Sequence, residues 1–182
     1  MKREARTAAA AGRLRAGEAE SDYAWVRLVA ALLLSTIGGV GMWSGVVALP
    51  AVQAEFGVAR GSASFPYTMT MIGFGLGGIL MGRLSDRFGV MVPVLLGSAA
   101  LAAGFAVAGA AATLWQYALA LGLLVGVGSA ATFGPLVADT SMWFHRRRGL
   151  AVAIVASGNY AAGTVWSPTV QHFIATDGWR HT

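Results

Sequence analysis

Residues 28–54 read LVAALLLSTIGGVGMWSGVVALPAVQA, and none of them is charged. A helix needs about 20 residues to cross the ~30 Å hydrocarbon core of a bilayer, so this stretch is long enough for one crossing. Three further charge-free stretches follow it, over residues 61–82, 88–138 and 149–176. Together the four stretches predict a helical membrane protein.

The overall composition agrees with that prediction. The chain is 56% hydrophobic and 12% charged, whereas soluble domains carry about 25% charged residues. A soluble helical core is the alternative, but it would leave almost no polar surface for water. The net charge of +5 does not indicate nucleic-acid binding, because the basic residues border the apolar stretches. Without cysteine, the chain has no disulfide framework, thiolate metal site or cysteine nucleophile.

We predict an all-α membrane protein with five transmembrane helices. The stretch 88–138 is long enough for two crossings joined by a turn in GAAATL, residues 109–114. The predicted spans are residues 26–50, 64–82, 91–109, 114–137 and 149–173. Residues 1–24 are charged and poor in large apolar side chains, which predicts a disordered tail, and residues 25–182 form the membrane domain.

The basic residues predict the orientation. All but two of the 13 lysines and arginines lie in the tail, at Arg27, or in the loops after the second and fourth predicted helices. The exceptions are Arg60 and Arg180. Positive loops stay on the cytoplasmic side, so we expect an integral protein of the plasma (cytoplasmic) membrane with a cytoplasmic N-terminus.

The loop after the second helix carries the first recognisable motif. It reads GRLSDRFG over residues 82–89, with Asp86 and Arg87 between Gly82 and Gly89. We expect a tight turn, in which Asp86 caps the start of the third helix. The pattern G-x-x-x-D-R-x-G resembles the loop signature of the major facilitator superfamily of secondary transporters. The family usually continues with a basic pair, whose places Val90 and Met91 take here.

A second motif, WFHRRRGLAVAIVASG over residues 143–158, resembles the monocarboxylate porter or oxalate–formate antiporter-like branch of that superfamily. The three basic places are filled by Arg146, Arg147 and Arg148. The acid and the lysine that branch members place in the first helix are missing from GMWSG, residues 41–45. The substrate therefore cannot be assigned as a carboxylate from this half.

The resemblance implies twelve helices in two six-helix halves, with a substrate site near the bilayer midplane and transport by alternating access. We expect this chain to be the N-terminal half without its sixth helix. A missing C-terminal half, or self-association, would then complete the pathway for a small solute, with a small organic anion such as a monocarboxylate as one possibility. A complete five-helix protein, or a truncated or non-transporting membrane subunit or sensor, is the alternative.

Asn159 is the clearest candidate for a substrate contact. It lies ~16 Å along the fifth helix from Arg148, at 1.5 Å per residue, and an amide at that depth should face a cavity or another helix. An interhelical hydrogen bond is an equal alternative. Gly163 and Trp166 follow on nearly the same helix face.

The resemblance adds candidates from the other helices that would line the cavity. They are Trp43, Tyr67, Thr70 and Phe133. Apolar packing is the stronger alternative for Trp43 and Phe133, and an interfacial position for Tyr67. The two motifs supply a candidate cytoplasmic gate, made of Gly82, Asp86, Arg87, Gly89, Arg146, Arg147 and Arg148.

No enzymatic chemistry is predicted. The three histidines lack metal-ligand spacing, and no phosphate-binding glycine loop follows a strand, so we expect neither a metal nor a cofactor. Apart from Arg27 and His172 near the ends of the first and fifth spans, no acidic or basic residue lies inside a predicted span, which places proton or ion coupling elsewhere or indicates uniport. The expected partners are the lipid bilayer and a small-molecule substrate, with no nucleic acid.

Overall fold

A computed structural model describes residues 21–182, and every regular element in that range is a helix. Most of the predicted tail, residues 1–20, lies outside the described residues. The elements are α1 (Asp22–Gly38), α2 (Val40–Phe56), α3 (Arg60–Ala63), α4 (Phe65–Phe88), α5 (Met91–Gly109), α6 (Leu114–Ala120), a π-helical segment (Leu121–Gly126), α7 (Val127–Ala131), α8 (Gly134–Trp143) and α9 (Arg148–Asp177).

Within residues 21–182, four helical stretches are long and apolar enough to cross a membrane. Span 1 is Asp22–Phe56, span 2 is Arg60–Phe88, span 3 is Met91–Gly109 and span 4 is Leu114–Trp143. Large apolar side chains such as Leu33, Leu76, Leu95 and Leu123 are exposed on these spans, as suits a surface in contact with lipid. The 30-residue helix α9 is not apolar enough to be one of the four, so its membrane crossing stays a prediction.

Span 1 begins at Ser21 and is interrupted at Gly39. The Ser21 hydroxyl accepts a hydrogen bond from the amide of Ala24, a helix N-cap that starts α1 two residues before the predicted end of the tail. At Gly39 the helical hydrogen bonding becomes tighter. The Met42 amide donates to the Gly39 carbonyl, three residues back instead of four. Gly38 and Gly39 are buried here, which lets span 4 and α9 approach closely.

Spans 2 and 4 pack backbone against backbone. A methyl group on Gly73 would lie 1.8 Å from the carbonyl oxygen of Gly122, and one on Gly126 would lie 2.5 Å from the carbonyl oxygen of Thr70. Only glycine fits at such contacts, and small residues at this spacing allow helices in lipid to approach in this way. Span 4 is accordingly the most buried of the four spans, at 67%.

The second span ends later than the sequence predicts. Helix α4 continues through Phe88 and stops at Gly89, whose φ is 79°, a value that favours glycine. Asp86 and Arg87 therefore lie in the last turn of α4 rather than in a loop. The expected capping of the third helix by Asp86 is wrong, because Val90 occupies the cap position of α5 and no side chain caps it.

Two apolar clusters hold the helices together, one toward each end of the bundle. The first contains Val52, Leu101, Tyr117, Leu121 and Val125. The second contains Leu28, Val94, Leu136, Phe144 and Val155. Helix α9 lies along both halves of span 1, and this interface contains four of the seven predicted substrate-cavity residues, namely Trp43, Asn159, Gly163 and Trp166.

Candidate functional site between span 1 and α9

Asn159 is buried at the contact between α9 and span 1, with 8% of its surface exposed. Its side-chain nitrogen lies 3.6 Å from the sulfur of Met42, which is a weak acceptor. Its backbone carbonyl accepts a hydrogen bond of 2.9 Å from the indole nitrogen of Trp43. The amide therefore faces another helix in this structure.

Gly163 allows Trp43 to reach that carbonyl. A methyl group on Gly163 would lie 2.8 Å from Cε2 of the Trp43 ring, so the indole lies directly against the backbone of α9. The sequence analysis placed Asn159 and Gly163 on one helix face. In the structure both residues contact Trp43 of span 1.

Trp166 makes the opposite connection. Its indole nitrogen donates a 2.9 Å hydrogen bond to the carbonyl oxygen of Thr36, near the interruption of span 1 at Gly39. One tryptophan from each helix thus donates to the backbone of the other. Buried tryptophans usually find a partner for the N–H group, and these two bonds fix the rotation of α9 about its own axis relative to span 1.

A cavity of about 390 Å³ opens beside Trp166. Its walls come from spans 1, 3 and 4 and from α9, and include Ser44, Phe105, Tyr117, Trp166 and Thr169. The walls are mainly apolar and aromatic, with a few polar groups, as in most small-molecule sites. Of the seven predicted substrate-cavity residues, all of which are described, Trp166 alone lines this space.

A polar cluster that the sequence analysis did not single out closes one end of the cavity. Arg180 pairs with Glu55 at 2.7 Å and donates two 2.8 Å hydrogen bonds to the carbonyls of Gly109 and Ala111. The indole of Trp179 donates to the same carboxylate. Glu55 directly follows the charge-free stretch 28–54, and Arg180 comes shortly after the stretch 149–176. Both ends lie on the same predicted membrane side, which was the available signal for the pair.

The remaining candidate residues lie in helix packing. Thr70 is 1% exposed, and its hydroxyl donates to the carbonyl of Pro66 one turn earlier, at 3.0 Å. The ring of Phe133 lies 6.0 Å from that of Phe74, centroid to centroid. Tyr67 is half-buried. None of these three side chains lines the cavity beside Trp166.

The charged residues of the two motifs are exposed at one end of the bundle. Asp86, Arg146, Arg147 and Arg148 all lie at the surface. Among residues 21–182 Asp86 has no salt bridge, and the Arg87 guanidinium lies 5.2 Å from the ring centroid of Phe88. A contact between the acid of one motif and the basic residues of the other is therefore not made within the described part of the chain.

A different ion pair joins the helices at that end. Arg27 of span 1 contacts Asp139 of span 4 at 2.7 Å, and its guanidinium also lies 4.7 Å from the ring centroid of Trp143. Both charges are partly buried, although in the sequence each simply adjoins a charge-free stretch, Arg27 before residues 28–54 and Asp139 after residues 88–138. Within residues 21–182 no group of three or more His, Asp or Glu side chains is placed to hold a metal ion.

Comparisons with known proteins identify the class. Residues 31–182 match the Major Facilitator Superfamily, and the chain belongs to that family. It is 28% identical to Monocarboxylate transporter 11 of Homo sapiens over 91% of this chain and 35% of that protein. It is 35% identical to Monocarboxylate transporter 12 of Mus musculus over 62% of this chain and 22% of that one.

A fungal relative is similar over a shorter region. The Fujikurins efflux protein of Gibberella fujikuroi is 32% identical over 58% of this chain and 23% of its own length. The chain thus spans about a third or less of the length of these relatives. Family membership and the apolar helices make it an integral membrane protein of a transporter family.

Proposed function

We propose that the chain forms the N-terminal part of a secondary transporter that carries a small solute across the membrane by alternating access. The family match over residues 31–182 is the observation that carries this proposal. In such transporters the solute binds near the midplane between two helical halves that rock against each other. The tightly packed helices described here would form part of one of these two halves.

The cavity beside Trp166 supports solute binding. Its volume of about 390 Å³ lies within the ~300–1,000 Å³ range of small-molecule sites. Ser44, Thr169 and Arg180 offer polar groups in a mainly apolar wall, whereas the Trp166 indole already donates to Thr36. Asn159 and Gly163 would contribute indirectly. Through their contacts with Trp43 they would hold α9, the helix that carries Trp166, in place against span 1.

A small organic anion such as a monocarboxylate is the proposed solute. The resemblance of residues 143–158 to the monocarboxylate-porter branch and the similarity to two monocarboxylate transporters support it. Arg180 lines the cavity and would attract a carboxylate. Since Arg180 already pairs with Glu55, the solute would have to compete with that carboxylate or bind elsewhere in the cavity.

The proposed topology has five crossings. Helix α9 would be the fifth, because its 30 residues extend ~45 Å at 1.5 Å per residue. A sixth helix and a second half, or a second copy of this chain, would complete the pathway. The bias of Lys and Arg favours a cytoplasmic N-terminus in the plasma membrane, with Asp86, Arg87 and Arg146–Arg148 forming a gate that closes in another conformational state.

Solute flux tests the proposal. Proteoliposomes containing the full-length gene product should accumulate labelled lactate or pyruvate faster than protein-free vesicles, with saturation and with competition by unlabelled substrate. A neutral sugar serves as the control solute. A non-transporting subunit or sensor is the competing function, and an absence of flux for every small solute tried, with the protein correctly inserted, would favour it.

A further inference from the structure

Residues 178–182 fold back over one end of the cavity beside Trp166. Three of these five residues line that cavity, including Trp179 and Arg180. The chain turns at Gly178, which ends α9 and has a φ of 82°, a value that favours glycine. The segment therefore covers the cavity at the end of the bundle where α9 stops.

The Arg180 side chain attaches this segment to the ends of two other helices. Its Nε and one terminal nitrogen lie 2.7 Å from Oε1 of Glu55, near the end of span 1. The other terminal nitrogen donates to the carbonyls of Gly109 and Ala111, where α5 ends. A helix C-terminus carries partial negative charge, so a guanidinium suits both partners. The backbone is close too, because a methyl group on Gly109 would lie 2.7 Å from the carbonyl oxygen of Arg180.

The Trp179 ring supplies the apolar contact of the segment. Its centroid lies 5.3 Å from that of Tyr117 and 6.1 Å from that of Phe56. Its indole also donates to the Glu55 carboxylate. Tyr117 belongs to the first apolar cluster, and Phe56 packs against it. The segment thus covers the cavity with apolar surface as well as with charge.

The segment is held less firmly than the helices are. None of its five residues is buried, and its ion pair is partly exposed, which makes such a pair weak. Its backbone hydrogen bonds either stay inside the segment, from His181 to Gly178, or run to α9, from Gly178 to Ile174. Regions with few buried contacts open at a low cost in free energy. The segment can therefore leave the bundle without breaking a backbone hydrogen bond to spans 1, 3 or 4.

We propose that residues 178–182 are a lid that opens and closes over the cavity, with Gly178 as the hinge and Arg180 as the side chain that holds it closed. Opening would separate Arg180 and Trp179 from Glu55 and expose the cavity to that side of the membrane. Because these contacts join the lid to helices of the same chain, it can open without the rocking of two halves that alternating access requires. A role of the lid in solute entry rests on the proposed function, whereas its movement does not.

Chemical access to the cavity tests the lid. Ser44 lines the cavity, and its hydroxyl is buried without a hydrogen-bond partner within residues 21–182, so Ser44→Cys places a thiol there with little other change. The variant is made in the full-length gene product, with any other cysteine replaced by serine. Its reaction with a membrane-impermeant maleimide is followed in sealed vesicles from each side separately. His181→Cys, at an exposed position of the lid, identifies the side on which the lid lies.

We expect slow labelling of Ser44→Cys from the side of the lid, at a rate that follows the fraction of open lid. Adding Arg180→Gln should raise the rate about tenfold, because the ion pair and the bonds to α5 are lost together. Adding Glu55→Gln should raise it about threefold, because the bonds to α5 remain. Arg60→Gln is the matched control and should leave the rate unchanged, since Arg60 is exposed, lies on the same predicted side and does not line the cavity.

Two results would overturn the lid. One is an unchanged labelling rate in both Arg180→Gln and Glu55→Gln. The other is an equal rise from both sides of the membrane, which would indicate a general loosening of the bundle. Size-exclusion chromatography checks that each variant is folded. If Arg180→Gln is not, Gly109→Ala replaces it, because its methyl group would push the lid backbone away without removing a charge.

Solute flux into the same vesicles separates the lid from the proposed function. Faster labelling in the two variants, in vesicles that transport no solute tried, would support the lid and contradict transport. Normal flux with unchanged labelling would support transport and contradict the lid.

Discussion

Trp43 and Trp166 donate hydrogen bonds in opposite directions across one helix interface. Trp43 of span 1 donates to the carbonyl of Asn159 in α9, and Trp166 of α9 donates to the carbonyl of Thr36 in span 1, each at 2.9 Å. Both tryptophans also carry large apolar surfaces into the contact. This arrangement connects the stability of the helix pair to the wall of the cavity.

Replacing Trp43 by phenylalanine tests the stabilising role of that bond. Trp43→Phe keeps an aromatic ring and removes the donor, so we expect a loss of about 0.6–1 kcal/mol in the free energy of unfolding. Thermal unfolding of the detergent-solubilised protein would show it as a lower Tm. Trp115→Phe is the control, because Trp115 is 65% exposed; an equal effect of both variants would contradict the assignment.

Two glycines of α4 give a sharper comparison. A methyl group on Gly73 would lie 1.8 Å from the backbone oxygen of Gly122, whereas one on Gly78 would meet nothing within 4 Å. Gly73→Ala should therefore force spans 2 and 4 apart and cost about 3 kcal/mol or more. Gly78→Ala should change stability by about 0.5 kcal/mol or less. Similar Tm values for the two variants would contradict this packing.

The pair formed by Glu55 and Arg180 is suited to a double-mutant cycle. Both side chains are partly exposed, at 40% and 30%, so solvent screens their attraction. We expect a coupling energy of about 0.2–1 kcal/mol between Glu55→Gln and Arg180→Gln, measured from four unfolding curves. Additive effects, with no coupling at all, would show that the ion pair does not hold the end of the cavity closed.

Asp86→Asn tests the proposed cytoplasmic gate. If Asp86 contacts basic groups in one state of the transport cycle, removing its charge should slow solute flux while membrane insertion stays normal. Flux into proteoliposomes and the yield of folded protein measure the two effects separately. Asp177→Asn, at an exposed position at the end of α9, is the control, and flux by Asp86→Asn equal to wild type would eliminate the gate.

The sequence predicted where the helices lie along the chain better than it predicted which neighbour each helix face contacts or where a helix departs from regular α-helical geometry. Charged side chains are costly in hydrocarbon, so the uncharged stretches indicate where the helices lie. The turn near Gly109 could be predicted from the residues around it alone. The depth of Asn159 in the membrane is predicted from its distance along the helix from Arg148. Which neighbour it faces depends on how α9 is rotated against span 1, and the indole bonds of Trp43 and Trp166 fix that rotation.

Other features depend on contacts that are far apart in the sequence. No strong feature of the nearby sequence predicts the interruption at Gly39 or the π-helical segment Leu121–Gly126. Neighbouring helices pack against both. The expected cap at Asp86 is wrong because nothing in residues 82–88 stops α4 before Gly89. Arg27 with Asp139, and Glu55 with Arg180, become pairs only when separate spans are brought together.

Passage of solute through the cavity beside Trp166 is tested most directly by the accessibility of Thr169, which lines it. Residues 1–182 contain no cysteine. Once any cysteine elsewhere in the full-length gene product is replaced by serine, Thr169→Cys provides a single site for a membrane-impermeant maleimide. Alternating access predicts labelling from either side of the membrane, at rates that shift in opposite directions when saturating solute or a solute gradient is applied. Labelling from one side only, at a rate that no solute or gradient changes, would contradict it.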